Sequence, residues 1–209
     1  MEEPEVTVAT PADRERILAT LVAAFVKDHV LRHLFPDEQT YPEYATAFFG
    51  YLFDKRVRHG SVWTVEGGVS VAIWQPPGVP PAGDEFALRL PPAELARVHA
   101  YDEVLGAAFP AGDYWYLGVL GTHPEHTGRR LGHAVMAAGL RRAAQDGLPA
   151  YLETSNRGNV EMYRRAGWEV VSTVPAPVPT WVMAQAAYLR VETALNRRPP
   201  EPAGGAAVA

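Results

Sequence analysis

Cysteine is absent from the 209 residues. That excludes disulfides, a thiolate nucleophile, a cysteine acyl-enzyme and thiolate metal sites. Long apolar runs are missing as well. No stretch reaches the roughly 20 residues a membrane-spanning helix needs. The start, MEEPEVTVAT, lacks the basic-then-apolar order of a signal peptide. A cytoplasmic protein with no membrane partner is therefore expected. Positive charge is also in short supply, with 19 Lys and Arg against 24 Asp and Glu and a net charge of -5. A nucleic-acid binder should carry a basic face, so no nucleic-acid partner is expected. What is present in quantity is apolar surface. Hydrophobic residues make up 47% of the chain, ample for one buried core in a domain of this length.

Periodicity orders the chain as α/β. Val6 to Ala9 reads as a short strand, followed by a helix start at Thr10-Pro11-Ala12-Asp13, with Thr10 as cap. Ile17, Leu18, Leu21, Val22 and Phe25 share one helical face. His29 to Gln39 reads as a loop or broken helix, and Tyr41 to Arg58 as a second helix. Ser61 to Val65 and Val69 to Trp74 flank Glu66-Gly67-Gly68, a hairpin signal. Glu85 to Leu105 reads as a helix interrupted by Pro91-Pro92. Tyr114 to Gly121 is a strand, and a helix over Arg129 to Gln145 repeats Leu131, Ala134, Val135 and Ala138 on one face. Ala150 to Glu153 is a strand and Asn159 to Ala166 a short helix capped by Gly167. Trp168 to Val174 and Thr180 to Met183 form a final strand pair. The expected domain spans residues 1–183. A C-terminal helix over 184–198, able to pack on a second copy as a homodimer, and a disordered tail over 199–209 would follow.

The segment Thr127-Gly128-Arg129-Arg130-Leu131-Gly132 lies between a strand and a helix. A helix start offers unpaired N–H groups and partial positive charge, which suit a pyrophosphate. Gly128 and Gly132 permit close backbone approach, and Arg129 and Arg130 add forked donors. The alternative is a polar loop before an ordinary amphipathic helix.

This segment resembles motif A of the GCN5-related N-acetyltransferases (GNAT), whose usual form is Q/R-x-x-G-x-G/A. Thr127 stands where Gln or Arg is usual and Arg130 where the internal Gly is usual, while Gly132 keeps the last glycine. Downstream, Asn156, Tyr163 and Ala166-Gly167-Trp168 resemble that family's N-x-x-A-x-x-x-Y-x-x-x-G-F pattern. The likeness extends to the puromycin N-acetyltransferase subfamily through Ala23-Ala24-Phe25, Arg32-His33, Val71-Ala72-Ile73-Trp74, Leu152-Glu153-Thr154-Ser155, Tyr163-Arg164-Arg165 and Thr180-Trp181-Val182-Met183. It spans roughly Val6 to Met183.

The resemblance implies a GNAT fold, with a central mixed twisted sheet of about six to seven strands flanked by helices. It also implies acetyl-CoA as co-substrate and direct transfer to an amine in a ternary complex. Tyr163 would stand beside the coenzyme sulfur and assist the leaving thiolate. Glu153, at a strand end, would accept the amine proton directly or through water; its alternative is a structural salt bridge. Val119, Leu120 and Thr122 would offer backbone groups to the pantetheine arm, with Gly121 suited to a strand bulge. Asn156 and Asn159 would contact the coenzyme or else cap a helix. His29, Arg32 and His33 would shape the acceptor pocket. His29 and His33 lack a third clustered ligand, so no metal is expected. Phe48, Phe49, Tyr51 and Phe53 are expected in the core rather than in the pocket wall. The leading function is N-acetylation of a small primary amine. The alternatives are a peptide or protein acetyltransferase and a non-catalytic acyl-CoA-binding regulatory module.

Overall fold

Strand alternation and helical repeats resolve into a three-layer α/β domain in the computed structural model, which describes residues 4–79 and 88–185. β1 (Val6–Val8) runs into a 3₁₀ turn at Pro11–Asp13 and then α1 (Arg14–Ala24). The backbone N–H and the hydroxyl of Thr10 both donate to Asp13 Oδ2, at 2.8 and 2.9 Å. α2 (His29–Leu34) and α3 (Tyr41–Val57) follow. β2 (Val62–Val65) and β3 (Ser70–Gln75) form the expected hairpin around Glu66, Gly67 and Gly68. The rest of the described chain is α4 (Pro92–Gly106), β4 (Trp115–Thr122), α5 (Leu131–Gln145), β5 (Ala150–Thr154), α6 (Arg157–Arg165), β6 (Trp168–Val174) and β7 (Thr180–Gln185).

The seven strands lie in the order β1-β2-β3-β4-β5-β7-β6. Neighbours are antiparallel except β4 and β5, which run parallel. Both faces of the sheet are covered. Val71 and Ile73 join a core with α1, α3 and α4, whereas Ala72 and Trp74 join one with α5 and α6. A strand buried on both faces needs apolar residues without alternation, which explains the run Val71-Ala72-Ile73-Trp74. Gly139 of α5 lies over the Trp74 ring, where an added Cβ would stand 2.2 Å from the indole. Among the described residues no helix is long and apolar enough to cross a membrane.

Several boundaries differ from the sequence reading, each for a local reason. α4 starts at Pro92, because proline suits a first turn and cannot sit inside a helix; residues 88–90 are not helical, and 80–87 lie outside the described residues. α5 starts at Leu131, since Arg130 takes a left-handed conformation with φ 60°. α6 starts before Asn159, because Asn156 Oδ1 accepts from Gly158 N at 2.8 Å and caps it. Ala184 and Gln185 complete β7 by pairing with Tyr151 and Trp168, so no helix begins at 184. The remainder of that expected helix and the tail lie outside the described residues.

The bulge also moves. β3 and β4 pair regularly until the register shifts between Ile73 and Trp74, which face Val119 and Leu117. The extra residue is therefore Gly118, not Gly121. One inserted residue flips every later side chain to the other face. Trp115 and Leu117 lie in the α5–α6 core, and Val119 lies in the α1–α4 core. Gly121 pairs normally with Val71 and has a different duty. A Cβ there would meet Leu21 and Phe25 of α1 and its cap at 2.7 and 3.0 Å.

Candidate active site

Two strands that start parallel and then part create the site. β4 pairs with β5 only over Trp115 to Leu117 and Ala150 to Leu152. Beyond those residues β4 continues to Thr122, while β5 continues to Thr154 against β7. The cleft between them opens into two adjoining cavities of about 240 and about 400 Å³. Phe25, Asp28, Leu120, Asn159 and Tyr163 line both.

The larger cavity is a groove bordered by the end of α1, the end of β4, the start of α5 and one face of α6. Leu120, Thr122, Thr127, Gly132, Asn156 and Asn159, all expected to contact a coenzyme, line it. Val119 lines the smaller cavity instead. Gly132 approaches the Thr122 hydroxyl, with a Cβ position 3.5 Å from Oγ1, and that hydroxyl lies 2.7 Å from Ser70 Oγ. Gly128 (φ 81°) and Arg130 (φ 60°) are both left-handed, and Gly132 and His133 in the first turn of α5 line the groove, where a helix start leaves N–H groups without intrahelical partners. The Leu131 side chain is buried in the core, so only its backbone is available to a ligand. Arg129 is engaged elsewhere. Its guanidinium pairs in fork fashion with Glu66 of the hairpin, Nη1 to Oε2 at 3.0 Å. Arg130 is exposed and has no ion-pair partner among the described residues.

The smaller cavity is more enclosed and mixed in character. Phe25, Phe48, Phe49, Leu52, Ile73 and Val98 give it apolar walls, and Tyr51, Tyr101 and Tyr116 give it phenols. Phe48 and Tyr51 are half-buried wall residues, contrary to expectation, whereas Phe49 and Phe53 are buried in the core as expected, Phe49 also bordering the cavity. Glu153 points in from β5. Its Oε2 is enclosed and has no hydrogen-bond partner. Burial pushes its carboxyl up to about 7; the Tyr116 phenol pulls the other way, and the charges of Asp102 and Asp28 add to the rise. The reciprocal effect holds Tyr116 well above the ordinary phenol range, through burial first and the Glu153 charge second. Tyr163 of α6 packs edge-on against Trp168, with ring centroids 6.2 Å apart. It is raised by burial and then by Glu153.

His29, Arg32 and His33 line neither cavity. His29 Nδ1 lies 3.3 Å from the Ser155 carbonyl, tying α2 to the end of β5. Arg32 donates to the Pro36 carbonyl at 3.0 Å. The same helix contributes Val30, Leu31 and Leu34, and its cap Asp28, instead. Asp28 Oδ1 accepts from Val30 N and Leu31 N at 2.9 and 3.0 Å. Among the described residues a metal-like grouping falls elsewhere, at His123, Glu125 and His126, whose ligand atoms lie within 4.8 Å of one another. One ring nitrogen of each histidine is engaged: His123 Nδ1 accepts from Glu125 N at 3.4 Å, and His126 Nδ1 lies 3.1 Å from Arg129 Nη1.

Sequence reasoning missed Asp28, Lys55, Arg56, Tyr101 and Asp102 of the smaller cavity. Arg56 did leave a signal. Tyr41, Ala45, Phe49, Phe53 and Arg56 are all buried at intervals of three or four, so the arginine continues the apolar stripe of α3.

This architecture is the GNAT fold, and residues 72–168 match the acetyltransferase (GNAT) family. Among curated relatives, a mycothiol acetyltransferase from Propionibacterium freudenreichii subsp. shermanii is 39% identical over 67 residues. That segment covers 31% of this chain and 20% of the relative. Among solved structures, a "histone acetyltransferase HPA2 and related acetyltransferase" from Corynebacterium glutamicum aligns with a TM-score of 0.65 and 22% identity, over 88% of this chain and 96% of that one. The PaiA N-acetyltransferase of Thermoplasma acidophilum, in complex with coenzyme A, aligns with a TM-score of 0.56 and 10% identity over 88% and 99%.

Proposed function

We propose that this protein moves an acetyl group from acetyl-CoA to the primary amine of a small molecule, by direct attack within a ternary complex. The observation that carries the reading is the meeting of a groove at the start of α5 and a more enclosed cavity at Tyr163, with one unpartnered carboxylate oxygen of Glu153, its carboxyl raised by burial, in that cavity. The coenzyme A bound to the PaiA enzyme supports the same ligand for the groove. An enclosed cavity of about 240 Å³ favours a small acceptor over a peptide chain, as does the likeness to puromycin N-acetyltransferases.

Each residue has a definite task. The α5 N–H groups and Arg130 hold the pyrophosphate, and the parted edge of β4 at Val119 and Leu120 offers backbone groups to the pantetheine arm. The acceptor enters as an ammonium ion. Glu153, ionised above about pH 7, takes its proton. The free amine then attacks the thioester carbonyl, the C–N bond forms and the C–S bond breaks. Tyr163 is raised by burial, whereas an ordinary thiol has a pKa of about 8.5. Full proton transfer from phenol to thiolate is therefore uphill, and the hydroxyl acts chiefly by hydrogen bonding to sulfur as its charge develops. The proton that the nitrogen sheds on becoming an amide goes to the thiolate, and the one held by Glu153 passes to solvent, giving an amide, free coenzyme A and one released proton.

The test is free-thiol release from acetyl-CoA with a panel of amines, alongside calorimetry with coenzyme A. Amine-dependent release is expected. Coenzyme binding with no release for any amine would favour a regulatory acyl-CoA-binding module, and no binding at all would remove both readings.

A further inference from the structure

Five side-chain polar atoms among the described residues are buried without a hydrogen-bond partner. Two are indole nitrogens, of Trp74 and Trp168, in the α5–α6 core. The other three, Arg56 Nε, Glu153 Oε2 and Ser155 Oγ, belong to residues that line the one small cavity. Buried polar groups are almost always paired, and an unpaired one costs free energy. A donor, an acceptor and a hydroxyl without partners, on residues that line one cavity, describe the chemistry that a ligand of that cavity would match.

Arg56 is the most informative of the three. It is only 8% exposed, and its one hydrogen bond is from Nη1 to the Leu52 carbonyl at 3.3 Å. No carboxylate among the described residues lies at ion-pair distance from it, although Asp102 and Glu153 are near enough to act on its charge. Its neighbour Lys55 is settled, donating to Tyr51 Oη at 3.0 Å and lying 4.6 Å over the same ring. A buried guanidinium without an anion is costly, and its planar fork matches a carboxylate.

We infer that the acceptor is dipolar: a small amine that also carries a carboxylate, its ammonium group on Glu153 and its carboxylate on Arg56. The inference rests on the proposed acetyl transfer and names the class of its acceptor. It separates such molecules from polyamines and simple arylalkylamines, which bring no anion to Arg56. The apolar walls add a preference for a hydrophobic body beside the two charges. Ser155 Oγ, on the Glu153 side, is free to accept a further N–H from the ammonium.

The experiment compares matched acceptors that differ only in the carboxylate. L-phenylalanine, phenylalaninamide and 2-phenylethylamine form one series, and methionine with 3-(methylthio)propylamine a second. In the wild-type protein the carboxylate-bearing member should show a kcat/KM about thirtyfold higher than the plain amine, the scale of a buried charge pair. Arg56→Met should bring that ratio close to one, and Arg56→Lys should leave it between the two. The ratio is independent of how much of each variant is folded, and the wild-type comparison needs no variant. Plain amines equal to or better than their carboxylated partners would overturn the dipolar assignment while leaving acetyl transfer standing. Retention of the full ratio in Arg56→Met would overturn Arg56 as its reader. No release of thiol by any member, with coenzyme bound, would remove the transfer reading and this one together.

Discussion

In the small cavity, Glu153, Tyr116 and Tyr163 are all shifted by burial. Around the loop before α5, Arg129, Arg130 and Glu66 stay in solvent. The two regions meet at Tyr163, yet they do their work by different physics. Burial strengthens each charge interaction in the cavity and makes each group hard to replace. In the loop the lasting feature is backbone geometry, fixed by left-handed Gly128 and Arg130, while side-chain charges are screened. Substitutions should therefore be severe in the cavity and mild, salt-dependent and confined to coenzyme affinity in the loop.

The largest effect is expected at Glu153. Glu153→Gln keeps the shape but removes the base, so kcat/KM should fall about 10²–10⁴-fold near pH 7. The loss should shrink at high pH, where free amine is abundant. Wild-type activity should rise through an apparent pKa of about 7, and the variant should lack that limb; an equal loss at every pH would assign Glu153 a structural role. Stability should move the other way. The folded-state pKa lies above the unfolded value of about 4.3, so ionising the folded protein is costly. That cost is absent below the unfolded pKa, grows between about 4.3 and 7, and is complete above. Glu153→Gln should thus be more stable than wild type at pH 8, by up to about 3 kcal/mol, with no gain near pH 4. Denaturant titrations at the two pH values measure it.

Tyr163 ranks next. Tyr163→Phe removes one hydroxyl and keeps the ring against Trp168. A fall in kcat of about tenfold is expected with coenzyme affinity little changed, less than the roughly 10²–10⁴-fold of full general acid catalysis because the hydroxyl only hydrogen-bonds the sulfur. Turnover close to wild type would make Tyr163 a packing residue. Arg130→Ala should then raise the KM for acetyl-CoA about three- to tenfold and leave kcat nearly unchanged, as lost uniform binding does. The increase should diminish at high salt. An unchanged KM would take Arg130 off the phosphate.

The same contrast separates what could be read from the sequence from what could not. Local features were legible: the hairpin at Glu66-Gly67-Gly68, the strand–loop–helix around Gly128 and the Asn156-to-Gly167 spacing, because neighbours in sequence determine them. The bulge was misplaced by three residues, since Gly118 and Gly121 look alike until β3 is laid alongside β4. The small cavity was mostly illegible. It assembles α2, α3, α4, β4 and β5, and only the topology brings Arg56, Tyr116 and Glu153 together. The resemblance placed His29, Arg32 and His33 in the acceptor pocket, yet Leu31 and Leu34 already marked the inward face of α2 by their spacing. A charged residue in an apolar register, as at Arg56, was the available clue.

The smallest expected effect probes the loop through its neighbour. Glu66 of the hairpin and Arg129 of the loop before α5 form an exposed fork-to-fork pair. Glu66 is ionised more readily than usual because Arg129 bonds to it, so the pair is intact at neutral pH. Two readings of the pair differ in sign. If Glu66 merely occupies Arg129, then Glu66→Gln frees a guanidinium and removes a negative charge beside a pyrophosphate site, and the KM for acetyl-CoA should fall about twofold at low salt. Exposed charges are screened over about 10 Å at 0.1 M salt, so the gain should vanish as salt is raised. If instead the pair anchors the loop to the hairpin, loosening it spreads the loop over more conformations and KM should rise at every salt concentration. Left-handed Gly128 and Arg130 and the close seat of Gly132 beside Thr122 already define the loop without the pair. The fall is therefore the expected outcome, and acetyl-CoA titrations of Glu66→Gln at two salt concentrations measure its sign.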